Sequence, residues 1–117
     1  MKYRIKTNLK LRDLEKYNFK KEIFDLSASI KNFEPEMFYY KIYQYKDNYY
    51  YIETNHTRPS KQDEELKEIH LFKANFDKPN KELKFSRFHK IVRIVLKDLA
   101  ISGIIEKEEK NNEIQPI

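Results

Sequence analysis

Three histidines, at positions 56, 70 and 89, are the side chains best suited to acid–base work near neutral pH. They stand far apart in the chain, and no two have the one-turn spacing with which a helix presents a metal pair. No His-Glu-x-x-His motif and no Gly-x-Ser-x-Gly elbow occurs, and with Gly103 as its single glycine the chain has no loop to cradle a phosphate. Cysteine is absent, which removes disulfides, thiolate zinc sites, iron–sulfur clusters and thiol nucleophiles together. Neighbouring carboxylates fall in solvated runs such as Asp63 to Glu65 and Glu108 to Glu109. No catalytic, metal-ligating or cofactor-binding residue is assigned, and His70 and His89 are each read as a partly buried ring with a satisfied nitrogen. A metal-free ribonuclease toxin built from Lys, Arg, Tyr and His leaves no spacing signature and stands as a third reading of function.

What remains is binding chemistry, carried by rings and cations. Residues 37–54, MFYYKIYQYKDNYYYIET, hold seven tyrosines, and residues 78–97 hold seven basic side chains against one acidic, Glu82. Aromatic rings stack on bases while Lys and Arg neutralise phosphates. The same residue types anchor protein interfaces, and tyrosine is also an ordinary strand residue that fills small cores. The net charge of +5 permits nucleic acid or an acidic protein as partner without requiring either.

Two elements must position these groups. The tyrosine stretch reads as a hairpin turning at Asp47 and Asn48, which pairs Tyr45 with Tyr50, Tyr43 with Ile52 and Ile42 with Glu53. Alternation then sends Tyr39, Tyr43, Tyr45, Tyr50 and Ile52 to the core, and Tyr40, Ile42, Gln44, Lys46, Tyr49, Tyr51 and Glu53 to the other face. Tyr40, Lys46, Tyr49 and Tyr51 are the contact candidates of that outer face. A helix spans about residues 87–102, with Ser86 as N-cap, Gly103 as left-handed stop, and Phe88, Ile91, Val92, Val95 and Leu99 as buried stripe. Its opposite face carries Lys90, Arg93 and Lys97, with Arg87 at the margin, as a track for phosphate or an acidic groove. Ile94 and Ile101 lie beside this ridge and offer a second contact side, to another element, a partner or a second copy of the chain in a homodimer.

Around these, Tyr3 to Ile5 suits an edge strand and Leu9 to Tyr17 a short helix capped by Asn8 and stopped at Asn18. Lys20 to Pro35 fits both helical spacing and alternation. Residues 55–65 read as an exposed loop, 68–76 as a strand with Ile69 and Leu71 on one face and His70 and Phe72 on the other, and 77–81 as a turn. A last strand is expected from Ile104 to Glu109, then a turn at residues 110–112. The sum is one α+β domain over residues 1–117, a mainly antiparallel sheet with the Tyr-rich hairpin packed against one main C-terminal helix. No stretch approaches the ~18 apolar residues of a membrane span and the N-terminus lacks a signal-peptide core, so the expectation is a cytoplasmic protein without membrane contact.

Two resemblances bear on function. The segment KIVRIVLKDLAISGIIEKEEKNNEIQPI resembles the recognition helix and wing of winged-helix DNA-binding domains, which implies that Arg93 and Lys97 face DNA and that Lys107 and Lys110 sit on the wing. The starts MKYRIK and LRDLEKYNFK together with LKDLAISGIIEK resemble small accessory proteins of phages and prophages in AT-rich bacteria. That resemblance implies the host cytoplasm and a small non-enzymatic protein that redirects or blocks a host enzyme, as anti-CRISPR inhibitors do. The expected partner is a host protein or ribonucleoprotein, contacted through the outer hairpin face and the basic ridge; direct nucleic-acid binding is the alternative.

Overall fold

The computed structural model describes residues 2–24, 35–61 and 63–108. Within these residues, seven strands and one α-helix follow in the order β1 (Tyr3–Ile5), β2 (Lys20–Phe24), β3 (Glu36–Tyr45), β4 (Asn48–Thr54), β5 (Ile69–Lys73), β6 (Lys81–Leu83), α1 (Lys90–Ser102) and β7 (Ile105–Lys107), with short 3-10 helices at Leu11–Tyr17 and Pro59–Lys61. Strands β2 to β6 form one antiparallel sheet in sequence order, and β1 pairs with β7 in a separate two-stranded ribbon. This is the α+β architecture that the alternation of the strands and the periodicity of the helix require.

The core lies on one face of the five-stranded sheet. Met37, Tyr39, Tyr50, Ile52 and Leu71 point inward from β3, β4 and β5, and Leu11, Leu14 and Phe19 meet them from the N-terminal segment. Helix α1 adds Ile91, Val92, Val95 and Leu99, spaced so that one stripe is buried while the rest of the helix faces water. Tyr43 and Tyr45 pack on the margin of this cluster. Burying a side chain of this size contributes roughly 1.5–3 kcal/mol, so this single layer is the main source of stability.

The hairpin turns one residue earlier than its sequence suggests. Tyr45 pairs with Asn48, Tyr43 with Tyr50, Ile42 with Tyr51 and Tyr40 with Glu53, which leaves Lys46 and Asp47 as the turn. Lys46 adopts φ +55, a left-handed conformation that costs a non-glycine residue on the order of 1 kcal/mol. At the tip, the Lys46 and Lys90 ammonium groups both lie 5.6 Å from the centre of the Tyr45 ring. Moving the turn by one residue shifts each partner by two positions and so preserves its face. The expected inner set of tyrosines is therefore inward even though the pairing differs.

Other boundaries differ for identifiable reasons. The expected helix at Leu9 to Tyr17 is a 3-10 helix from Leu11, begun by a hydrogen bond from the Lys10 amide to Asp13 Oδ2 (2.9 Å); Asn8 instead takes φ +67 in the preceding turn. Asn18, at φ +66, ends it as expected. Helix α1 starts at Lys90 rather than Arg87, because His89 and not Ser86 is its cap: His89 Nδ1 accepts from the Ile91 amide at 3.2 Å. Phe88 consequently falls outside the helix and is 87% exposed rather than part of the buried stripe. Gly103, at φ +84, closes the helix. Strand β6 was not expected, since Lys-Glu-Leu is too short to show a period. The winged-helix arrangement is not the fold of this chain, for β7 pairs with β1 and the described residues before α1 form strands and 3-10 turns rather than α-helices. The part of the ambiguous segment at residues 25–34 and the expected turn and end at 110–117 lie outside the described residues.

Candidate functional site

The residues singled out as contacts separate onto two surfaces. Tyr40, Tyr49 and Tyr51 lie on the outer face of the sheet, opposite the core. Lys46 is carried away from them by its turn and joins Lys90 beside Tyr45, at the end of the sheet where α1 begins. Arg93 lies one turn further along α1, with its guanidinium carbon 4.5 Å from the centre of the Phe88 ring, and Arg87 is exposed just before the helix. Lys97 is exposed near the middle of α1, with Ile94 and Ile101 also exposed.

The outer face has a composition that follows from the register. Pairing places Lys20, Glu22 and Phe24 of β2 beside Tyr40, Phe38 and Glu36 of β3, and sets Tyr51 beside Phe72 and Glu53 beside His70. Phe38 is stacked between Phe24 (5.5 Å) and the His56 ring (4.5 Å, planes 10° apart), and Tyr51 stacks on Phe72 at 5.6 Å. Ile42, directly opposite Tyr51, is 57% exposed, and Tyr49, the next residue of this face toward the hairpin tip, is 46% exposed. The charged strand residues of this face are Glu22, Glu36, Glu53 and Glu82 against Lys20 and, where protonated, His70, with His56 beside Glu36 and Glu53. Rings and carboxylates together give an apolar surface of negative sign, in a chain of net positive charge.

Two carboxylates, Glu82 of this face and Glu68 just before β5, flank the ring of His70. His70 Nδ1 lies 2.7 Å from Glu82 Oε1 and Nε2 lies 3.1 Å from Glu68 Oε2. Burial opposes the charge, but the hydrogen bonds to Glu82 and Glu68 outweigh it and raise the imidazole above its ordinary value. A raised folded-state value contributes stability that is complete below the unfolded value of about 6.5 and is lost as pH rises through the folded one. His70→Gln should therefore lower the thermal midpoint most at about pH 6, and the deficit should shrink as pH rises past 7, in melts across that range.

The helix is held to the sheet by a polar contact as well as by its stripe. Asp98 Oδ2 accepts from Tyr43 Oη at 2.5 Å and lies 3.3 Å from Lys41 Nζ, so one carboxylate ties α1 to β3. Burial, then the bond to Asp98, pushes the Tyr43 hydroxyl well above its ordinary value. Tyr39 is likewise raised, to about 12, by burial and by its bond to Glu15. Asp98→Ala should cost about 2 kcal/mol in urea unfolding, because it leaves a half-buried hydroxyl and an ammonium without their partner.

Among the described residues no group of three His, Cys, Asp or Glu side chains is placed to hold a metal ion, and no helix is long and apolar enough to cross a membrane. A cavity of about 610 Å³ lies between the β1–β7 ribbon, β5 and α1, with Ile5, Ile69, Phe85, Leu96 and Leu99 in its walls. His89 spends its ring nitrogen on the helix cap, and His70, at the rim of this cavity, has both ring nitrogens on Glu82 and Glu68. No protein-family model, curated protein or solved structure matches the chain.

Several residues of the outer face escaped the sequence reading. Phe38 and Phe72 were reachable in principle, because they share parity with the outward residues of their strands. His56 was not, since it enters from a loop that has no period, and its position follows from the bridge between Met37 and Thr57. Phe88 was misplaced by the helix boundary alone.

Proposed function

We propose that the protein acts without catalysis, by covering a basic surface of a host protein or ribonucleoprotein with the outer face of its sheet. The observation that carries this is the exposed pair Ile42 and Tyr49 beside the stacked rings of Tyr51 and Phe72, on a face that carries Glu22, Glu36, Glu53 and Glu82. Basic protein surfaces are the ones that normally hold nucleic acid, so a ligand of this composition competes with nucleic acid for its place. Large exposed apolar side chains ringed by charge are what a protein interface needs at its centre and rim. The resemblance of the two chain ends to phage accessory proteins supplies the setting, a host cytoplasm in which such a protein inhibits or redirects a defence or nucleic-acid enzyme, as an anti-CRISPR protein does.

Affinity capture from a nuclease-treated host lysate tests this. Wild-type protein is expected to retain a partner after nuclease treatment, and Ile42→Arg with Tyr49→Arg is expected to lose it. An empty wild-type eluate, or equal capture by the double variant, would refute the proposal.

A further inference from the structure

The end of the sheet that carries the hairpin tip concentrates positive charge from three separate parts of the chain. Register places the β3–β4 and β5–β6 turns together, since Ala74 donates to the Tyr49 carbonyl (2.9 Å) and Lys73 pairs with both Tyr50 and Lys81. Lys73 and Lys81 are thus direct cross-strand neighbours, a like-charge pair that destabilises a sheet when nothing lies between. Lys46 and Lys90 crowd the Tyr45 ring from the turn and the helix, and Lys90 holds the Tyr45 hydroxyl below its ordinary value through a hydrogen bond. No acidic residue occupies the first turn of α1, where the helix dipole favours one. Asp47 and Asp77 sit in the two turns, yet among the described residues no carboxylate forms an ion pair with any of these lysines or with Arg93.

Rings stand out from the same region. Phe88 is 87% exposed with Arg93 against its ring, and Phe76, in the β5–β6 turn, is 94% exposed. An exposed ring gains nothing from the fold, and cations held near one another without counter-charge oppose it. Both features suit one ligand: a chain of phosphates with unpaired bases. Phosphates relieve the repulsion among Lys46, Lys73, Lys81 and Lys90, and a splayed base stacks on Phe88 with Arg93 supporting the ring from its other side. A duplex offers the phosphates but keeps its bases stacked inside.

From this juxtaposition we infer that the turn end of the sheet, with the start of α1, is a binding site for single-stranded nucleic acid. Its lysines Lys73 and Lys81 lie on the opposite face of the sheet from Ile42 and Tyr49, and the site does not depend on the protein partner proposed above. Fluorescence anisotropy with a labelled 15-nucleotide oligo-uridine and a 15-base-pair duplex of mixed sequence tests it. The single strand should bind more tightly than the duplex and weaken ~50-fold between 50 and 200 mM salt, the fall expected for about four phosphate contacts. Phe88→Ala should weaken it ~5- to 100-fold, the range for one lost base stack, and Lys46→Gly and Arg93→Ala should each weaken it severalfold. Phe88 is exposed and a glycine suits φ +55, so unchanged melting of these two variants separates lost binding from lost fold. Ile42→Arg with Tyr49→Arg should retain the oligonucleotide. Absence of binding at 50 mM salt, equal binding of the duplex, insensitivity to Phe88→Ala, or loss of binding in the outer-face variant would overturn the assignment.

Discussion

Leu71→Ala is expected to lower stability by about 3–4 kcal/mol, read as a fall in the urea midpoint with little change in slope. Leu71 is fully buried in β5, with Ile52 of β4 on one side and Leu83 of β6 on the other, so the lost side chain leaves a hole that paired backbones cannot close. A domain of this size has roughly 5–15 kcal/mol in all, and the loss removes a large part of it. The neighbouring Phe72→Ala should cost only about 1 kcal/mol, since that ring lies on the outer face against Tyr51. Reversal of this order would mean that the two faces of the sheet are exchanged, and Tyr40, Tyr49 and Tyr51 would lose their role as surface residues.

A second substitution probes the helix. Val95→Lys places an ammonium at a position with no solvent access, among Ile91, Val92 and Leu99, and is expected to cost on the order of 5 kcal/mol. Circular dichroism should show a chain without a cooperative melt. Ile94→Lys, one residue away on the exposed side, should change stability by less than about 0.5 kcal/mol. It also reads the oligomeric state: if Ile94 and Ile101 join two copies of the chain, sedimentation should show a dimer that this variant dissociates.

The parts of the fold visible in the sequence are those governed by a period. Alternation sorted Tyr39, Tyr50 and Ile52 from Tyr49 and Tyr51 correctly, because parity survives a one-residue move of the turn. Helical spacing found Ile91, Val92, Val95 and Leu99, and the single glycine marked the helix end. What the period cannot reach are ends and partners. The start of α1 depends on which residue caps it, and His89 outcompetes Ser86 through a single hydrogen bond. The meeting of Lys46 and Lys90 at the Tyr45 ring joins residues forty-four positions apart, which no local pattern contains. The negative sign of the outer face arises the same way, from Glu22, Glu53 and Glu82 brought together by pairing across five strands. The candidate contact residues fall for this reason on an acidic aromatic face and a basic end.

The sign of the outer face is the centre of the account, and one position reports it. Ile42 is exposed in the middle of that face, so either charge can be introduced there without disturbing the core. Titration calorimetry of the captured partner should show Ile42→Arg binding at least ~10-fold more weakly than Ile42→Glu at low salt, with the gap narrowing as salt rises. Tighter binding by Ile42→Arg than by Ile42→Glu would show that the partner surface is acidic, and would contradict the account.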